Sequence, residues 1–257
     1  MADPRPSIAD RRRTFKQLHE DGCFVIPNPW DVGSTRFLQG LGFKALATTS
    51  SGFAWSQGRP DNGISRDMAL AHLRDIVAAT DLPVNADFES GFAVDAAGVA
   101  ESVRLAVGTG VAGLSIEDST GDAASPLCEL SVAVERIRAA RAAIDQAGGD
   151  TLLVGRAECF FVGRPDLGEA IERLKAYAHA GADCLYAPGI RTREQITAVV
   201  AAVAPKPVNL LVGSTTDLTM QDISALGVRR VSVGGALARS AWGGFIRAAK
   251  LIAEQGK

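Results

Sequence analysis

One rhythm runs the length of this chain and leaves few folds open to it. Short apolar, β-branched runs alternate eight times with helical stretches of about 10–16 residues, joined by Gly, Pro or Asp. The strand candidates are Cys23–Pro27, Ala45–Ser50, Pro83–Asp87, Gly113–Glu117, Leu152–Glu158, Cys184–Pro188, Pro207–Val212 and Arg230–Gly234. Helical patterns follow each one, starting near Gly33, Ser65, Asp95, Ser131, Gly168, Thr192, Thr219 and Ser240. Every second strand has the same lead-in: Gly42, Gly110, Gly181 and Gly227 each stand four residues before a strand-forming Leu or Val. A glycine there ends a helix in the left-handed conformation, where a Cβ is strained, and delivers the chain directly into a buried strand. Eight βα units in 257 residues match the arithmetic of an α/β fold of the (β/α)8 TIM-barrel type, which takes about 250. A doubly wound sheet competes less well, because a phosphate loop usually follows its first strand. Pro27-Asn28-Pro29-Trp30-Asp31 has the wrong chemistry for one.

No composition shift or linker divides the chain, so residues 1–257 read as one domain. Its first 20 residues hold a leading helix at about Ile8–His19, placed to close the barrel floor, with Arg11-Arg12-Arg13 as its solvated face. The formal net charge of −2 offers no basic surface for nucleic acid or anionic lipid. No apolar run approaches the ~20 residues of a membrane span, and Met1–Arg5 lacks the apolar core of a secretory signal. Cys23, Cys128, Cys159 and Cys184 have no CxxC spacing and no nearby His, which argues against zinc and redox motifs; three lie in or beside apolar runs as buried small hydrophobes. A cytoplasmic protein is expected, with no nucleic-acid or membrane partner.

In such a barrel the chemistry sits at the C-terminal ends of the strands. Those ends carry Trp30 and Asp31, the run Thr48–Gly52, Asn85, Asp87 and Glu89, then Glu117 and Asp118, Arg156 and Glu158, Tyr186, and Asn209 with Ser214 and Thr215. Strand side chains repeat every two residues, so Asn85 and Asp87 point the same way, and Asp87 is expected to face Glu117 across adjacent strands. Two carboxylates with neutral oxygens and no His or Cys suit a hard cation such as Mg²⁺. Equally, they could be ion-pair partners of Arg156. That arginine lies in a run otherwise fit for burial and must be paired, with Glu117, with Glu158 or with a substrate carboxylate held bidentately. Thr49-Ser50-Ser51-Gly52 could turn backbone N–H groups toward an oxyanion, or simply be a turn, and Asp61 lies in the evident turn Gly58–Gly63. His19, His72 and His179 all fall in helical stretches, against a Ser–His–Asp or Cys–His engine. Gly213-Ser214-Thr215 and Gly234-Gly235 stand where many barrels bind phosphate, though paired glycines also let the last strand close the barrel.

Together these stretches resemble the isocitrate lyase/phosphoenolpyruvate mutase family. The likeness rests on Pro27–Asp31, Ala47–Gly52, Asn85–Gly91, Ser115–Asp118, Gly155–Glu158, Gly181–Gly189 and Val231–Ala236, in order on successive strand ends. The resemblance implies a Mg²⁺-dependent barrel enzyme acting on small 2-oxo acids or related carboxylates through an enolate of pyruvate type. Carried over by position, Asp87, Glu117 and Asp61 would surround the metal, some through water. The Ser51 and Gly52 amides with Arg156 would hold the substrate's carboxylate and 2-oxo oxygen, with Trp30, Asp31 and Asn209 among the substrate-binding residues and Arg156, Glu117 and Asp61 in catalytic roles. It also implies a homo-oligomer, a tetramer or dimer of dimers, whose last helix, Ser240–Glu254 here, packs on a neighbouring subunit.

Two departures bear on activity. Asn85 stands where the family often has Asp, which removes a charge from the metal shell and predicts weaker Mg²⁺ affinity. Ser119–Leu130 replaces the Lys-Lys/Arg-Cys-Gly-His segment of isocitrate and methylisocitrate lyases. Cys128 has no basic or His neighbour in sequence to lower its pKa and reads as non-catalytic. The same segment has no Lys or Arg to clamp a transferring phosphoryl group. The expected activity is C–C cleavage of a small 2-oxo dicarboxylate such as oxaloacetate, by decarboxylation or hydrolysis. C–P chemistry on a phosphonopyruvate-like substrate, and a non-catalytic carboxylate-binding barrel, stand as alternatives.

Overall fold

The computed structural model describes residues 5–256; Met1–Pro4 of the leading segment lie outside the described residues. Its eight strands are β1 (Phe24–Ile26), β2 (Leu46–Ala47), β3 (Val84–Asp87), β4 (Gly113–Glu117), β5 (Leu152–Arg156), β6 (Cys184–Tyr186), β7 (Val208–Leu211) and β8 (Arg230–Ser232). They form one all-parallel sheet in the order β1-β8-β7-β6-β5-β4-β3-β2. At the seam between β1 and β2 the Ala47 amide donates to Pro27 O at 3.0 Å, which brings the two edges together into a (β/α)8 barrel. Asn28 fastens the rim: its Nδ2 donates to Thr48 O, and its Oδ1 accepts from the Val233 and Gly234 amides, each at 2.9 Å. Those amides are thus engaged in closing the barrel.

The helices are α1 (Ile8–Leu18), α2 (Val32–Gly40), α3 (Ser50–Ser56), α4 (Arg66–Ala79), α5 (Ala96–Val107), α6 (Leu130–Gln146), α7 (Leu167–His179), α8 (Arg193–Val203), α9 (Met220–Ala225) and α10 (Ala236–Gln255). Side-chain caps set several starts: Ser65, Asp95 and Thr192 each accept from the amide three residues on. The glycines before β4 and β6 have the left-handed backbone their lead-in demands, Gly110 at φ +90° and Gly181 at +106°. Two starts differ from the sequence reading. The Thr49–Gly52 run is not a simple turn but the cap and first turn of α3, with Phe53 stacked on His72 at 3.9 Å. The last helix begins at Ala236 rather than Ser240.

Helix α1 seals the barrel floor. Phe15 is fully buried against Ile26, Ala47, Ala112 and Leu152, and a Cβ on Gly113 would come within 2.7 Å of its ring. The three arginines of α1 are not a solvated face. Arg11 is buried and donates to Val77 O and Thr80 O at the end of α4; Arg12 donates to Val107 O and Val111 O at the end of α5. Helix C-termini leave carbonyls without intrahelical partners and carry partial negative charge, and these guanidinium groups answer both. Only Arg13 remains at the surface, on Asp10.

Candidate active site

Above this floor the barrel opens at its C-terminal rim into a cavity of about 710 Å³. Side chains directed inward from β3, β4 and β5 form its acidic wall, because Asp87, Glu117 and Arg156 share the inward face of the alternating strands. In register Asp87 stands beside Ser115, not Glu117, while Glu117 pairs with Arg156. Arg156 reconciles the offset. Its Nη1 lies 3.1 Å from Asp87 Oδ1 and 3.1 Å from Glu117 Oε2, and its Nε pairs with Glu158 Oε1. The guanidinium also sits over the Tyr186 ring, 5.2 Å from its centroid. Burial works against the Arg156 charge, but Glu117 and Glu158 overcome it and hold the group firmly cationic. The ion-pair alternative for the acidic residues is therefore present in this structure.

The carboxylates respond in turn. Burial pushes the Glu117 carboxyl well up, against the pull of Arg156, and raises Glu158 in the same way. Asp61 hangs over the mouth from the turn after α3, accepting from the Asn62 amide at 3.1 Å; its pKa is raised by burial and then by Asp87. Glu89 is buried in a left-handed backbone (φ +48°), its Oε1 has no partner, and burial followed by Asp87 and Asp61 pushes it up to about 8. Ser50 donates to Asp87 Oδ2 from both its amide and its hydroxyl, each at 2.9 Å, which fixes that carboxylate from the N-terminus of α3.

Other expected site residues fall elsewhere. Ser51 and Asn209 line the cavity with Asp61, Asp87, Glu117 and Arg156; Trp30, Asp31 and Gly52 do not. Asp31 is exposed and caps α2, accepting from the Ser34 amide at 2.6 Å. The Gly52 amide goes to Thr49 Oγ1 at 3.3 Å, and a Cβ there would meet Trp30 and Ala238, so Gly52 is a point of close packing. Cys128 lies behind the wall, buried. Arg136, eight residues on along α6, donates to its Sγ at 3.2 Å, a basic neighbour the local sequence conceals, yet burial still pushes the thiol up. Behind the same wall Asp118 accepts from Tyr177 (2.5 Å), Arg173 (3.3 Å) and the Glu158 amide (2.8 Å), which ties the ends of β4 and β5 together. The sequence reading passed over Arg191, Arg230 and Arg239, all of which line the cavity. Arg230 follows another arginine inside a strand pattern, and that was its only signal.

Whether a divalent cation suits these residues can be judged from their charge. Asp87, Glu117 and Glu158 contact the Arg156 guanidinium, Asp61 and Glu89 lie close enough to feel the Asp87 charge, and a buried carboxylate oxygen on Glu89 is unpartnered. Among the described residues no three His, Cys, Asp or Glu side chains converge as a ready-made ligand set, because Arg156 stands between them. An all-oxygen donor set with one or two direct carboxylates and the remainder water is what Mg²⁺ accepts. The residues fit such an ion.

An all-parallel eight-stranded barrel with its titratable groups gathered at the C-terminal rim defines the class, a TIM-barrel enzyme. The chain belongs to the phosphoenolpyruvate phosphomutase family, whose model matches residues 15–253, within the superfamily of isocitrate lyase and phosphoenolpyruvate mutase enzymes. It is 49% identical to a protein of Burkholderia cenocepacia J2315 whose crystal structure bears the provisional description lyase/mutase (TM-score 0.94; 97% of this chain and 91% of that one). It is 31% identical to the oxaloacetate decarboxylase of Rhodopseudomonas palustris over 83% of this chain and 74% of that protein. The structure of oxaloacetate acetylhydrolase with its product oxalate shares 27% identity at a TM-score of 0.88, covering 98% and 90%. Membership of this family sets aside the non-catalytic alternative. Among the described residues no helix is long and apolar enough to cross a membrane.

Proposed function

We propose that this protein is a Mg²⁺-dependent cytoplasmic enzyme that cleaves a C–C bond of a small 2-oxo dicarboxylate through an enolate, with oxaloacetate the first candidate. The observation that carries this reading is the oxygen-only acidic wall around Arg156 in a cavity of small-molecule size. Asp87 and Glu117 would hold the ion, with Asp61 and Glu89 reaching it through water. A bound divalent cation would supply Lewis-acid polarisation of the 2-oxo group, worth several kcal/mol when charge develops there.

The protein's own groups do the remainder. Loss of CO₂ from the 3-carboxylate breaks the C3–C4 bond, and the electron pair passes to the 2-oxo oxygen as an enolate. Arg156 faces that developing charge as a fixed cation in a water-poor wall, at no reorganisation cost. Protonation at C3 then yields pyruvate. The segment 119–130 brings no Lys or Arg over the cavity, which favours C–C over C–P cleavage. Four free cysteines accord with a reducing compartment. Helix α10 leaves Trp242, Phe245, Ile246 and Ile252 exposed, and a neighbouring copy in a tetramer or dimer of dimers would cover them.

The deciding experiment follows pyruvate and oxalate release from oxaloacetate by EDTA-treated protein with and without added Mg²⁺. Metal-dependent turnover is expected, and its absence on every 2-oxo acid tried would overturn the reading.

A further inference from the structure

The floor of the cavity holds a guanidinium whose charge the protein does not answer. Arg230 opens β8, lines the cavity and is 3% exposed. Its Nε donates to Asn209 Oδ1 at 2.9 Å and its Nη1 to Asn85 Oδ1 at 3.3 Å, while Nη1 lies 3.4 Å from His19 Nε2. Every one of these partners is neutral: two carboxamides, and an imidazole whose protonation burial and Arg230 itself oppose. Among the described residues no carboxylate pairs with it, and its charge is disfavoured by burial. The other well-buried arginines either have counter-charges or line no cavity. Arg156 has three carboxylates and Arg173 has Asp118 and Glu169, while Arg11 and Arg136 lie on backbone carbonyls outside the barrel. Arg156, taken by its own wall, is poorly placed to grip a ligand carboxylate as well.

A desolvated cation without a counter-charge is costly unless a partner arrives, and the one open side of Arg230 is the cavity. We propose that Arg230 is an anion-binding group, the counter-charge for the far carboxylate of a dicarboxylate ligand that reaches the barrel floor. This rests on the reading of the protein as an enzyme of small 2-oxo dicarboxylates and assigns the group that holds their second carboxylate. Asn85 acquires a reason as well, since its carboxamide accepts from Arg230 without neutralising it.

The test is a binding measurement on metal-free protein in EDTA, which separates it from any question of turnover. Calorimetric titrations with malonate and succinate are compared with acetate and pyruvate, for the unaltered chain, Arg230→Met and Asn209→Asp. Arg230→Met removes the charge and, by relieving a desolvated cation, is expected to leave Tm unchanged or raised. Asn209→Asp places a carboxylate where Oδ1 already meets Nε, answering the charge from within. Both are expected to weaken dicarboxylate binding about tenfold or more, and Arg230→Met to leave monocarboxylate binding within about twofold. Should Arg230→Met fail to fold, Asn209→Asp decides alone. Dicarboxylate affinity unchanged in either folded variant, or no preference for two carboxylates over one in the unaltered chain, overturns the proposal. If oxaloacetate is not turned over but this pattern holds, the activity is wrong and the subsite stands.

Discussion

Arg156 Nη1 lies 3.1 Å from Asp87 Oδ1, joining the last residue of β5 to the last residue of β3 across β4. The same nitrogen reaches Glu117 on the intervening strand, so one cation holds the acidic rim together. Replacing it by Met should leave three carboxylates, two of them buried, facing one another, at a cost of about 3–5 kcal/mol. Activity should fall at least a hundredfold. Because Mg²⁺ can substitute for the lost charge, the metal should raise Tm more in Arg156→Met than in the unaltered chain, which thermal melts with and without Mg²⁺ will read.

Asn85 gives a second prediction. Its Oδ1 accepts from Arg230 at 3.3 Å, so a carboxylate introduced by Asn85→Asp would be captured by that guanidinium. Isothermal titration should find Mg²⁺ affinity changed by less than about threefold in Asn85→Asp, and tightened about tenfold or more only when Arg230→Met is added, since a charge-assisted bond is worth about 1.5–3 kcal/mol.

His19 predicts the acid limb of stability. Burial, then the nearby Arg230 charge, lowers its pKa from 6.5 to about 3. Between those values the unfolded chain binds the extra proton, so stability falls as pH drops through this window, by up to about 1.4 kcal/mol per pH unit. His72, lowered by burial to about 4, acts in the same sense, while the raised carboxyls of Glu117 and Glu158 act in the opposite one. Urea unfolding at pH 5 and pH 7 should therefore show a smaller loss in His19→Gln than in the unaltered chain.

Asp118 touches no cavity surface yet should matter to it. Asp118→Asn weakens the contacts with Arg173 and Tyr177 and loosens the Glu158 amide. Arg173 keeps Glu169, so a stability loss of about 1–3 kcal/mol is expected from the weakened buried bonds, with kcat falling more than KM rises, because Glu158 then positions Arg156 less firmly.

The outward face of α10 predicts assembly. Trp242→Ser with Phe245→Ser removes two exposed aromatics that meet edge to face, 5.5 Å between centroids. Light scattering coupled to size exclusion should find the unaltered chain oligomeric and the double variant dissociated; a monomeric unaltered chain would refute the assembly.

Much of the barrel was legible in the chain itself. The alternation of apolar strands with helices, and Gly110 and Gly181 at turns that only a left-handed residue enters without strain, are local facts, and local facts are written in sequence. So was the gathering of Asp87, Glu117 and Arg156, since all three end strands with the same inward parity. The Thr49–Gly52 run stayed open between a turn and an oxyanion-binding backbone, because Ser and Gly favour turns as readily as caps; in the structure it caps and opens α3, with Phe53 packed on His72. Arg11 and Arg12 were misread because a basic triplet reads as solvated until two helix ends are brought beside it.

By itself, then, the order of residues determined the architecture and which strand ends would face the cavity, because backbone sterics and period-two alternation act between near neighbours. Tertiary structure alone decided who pairs with whom. It gave Arg156 to three carboxylates from three segments, left Arg230 with none, and set Arg11 and Arg12 on the ends of two helices. Charge and hydrogen bonding act through space, and the distances that govern them exist only once the barrel has closed.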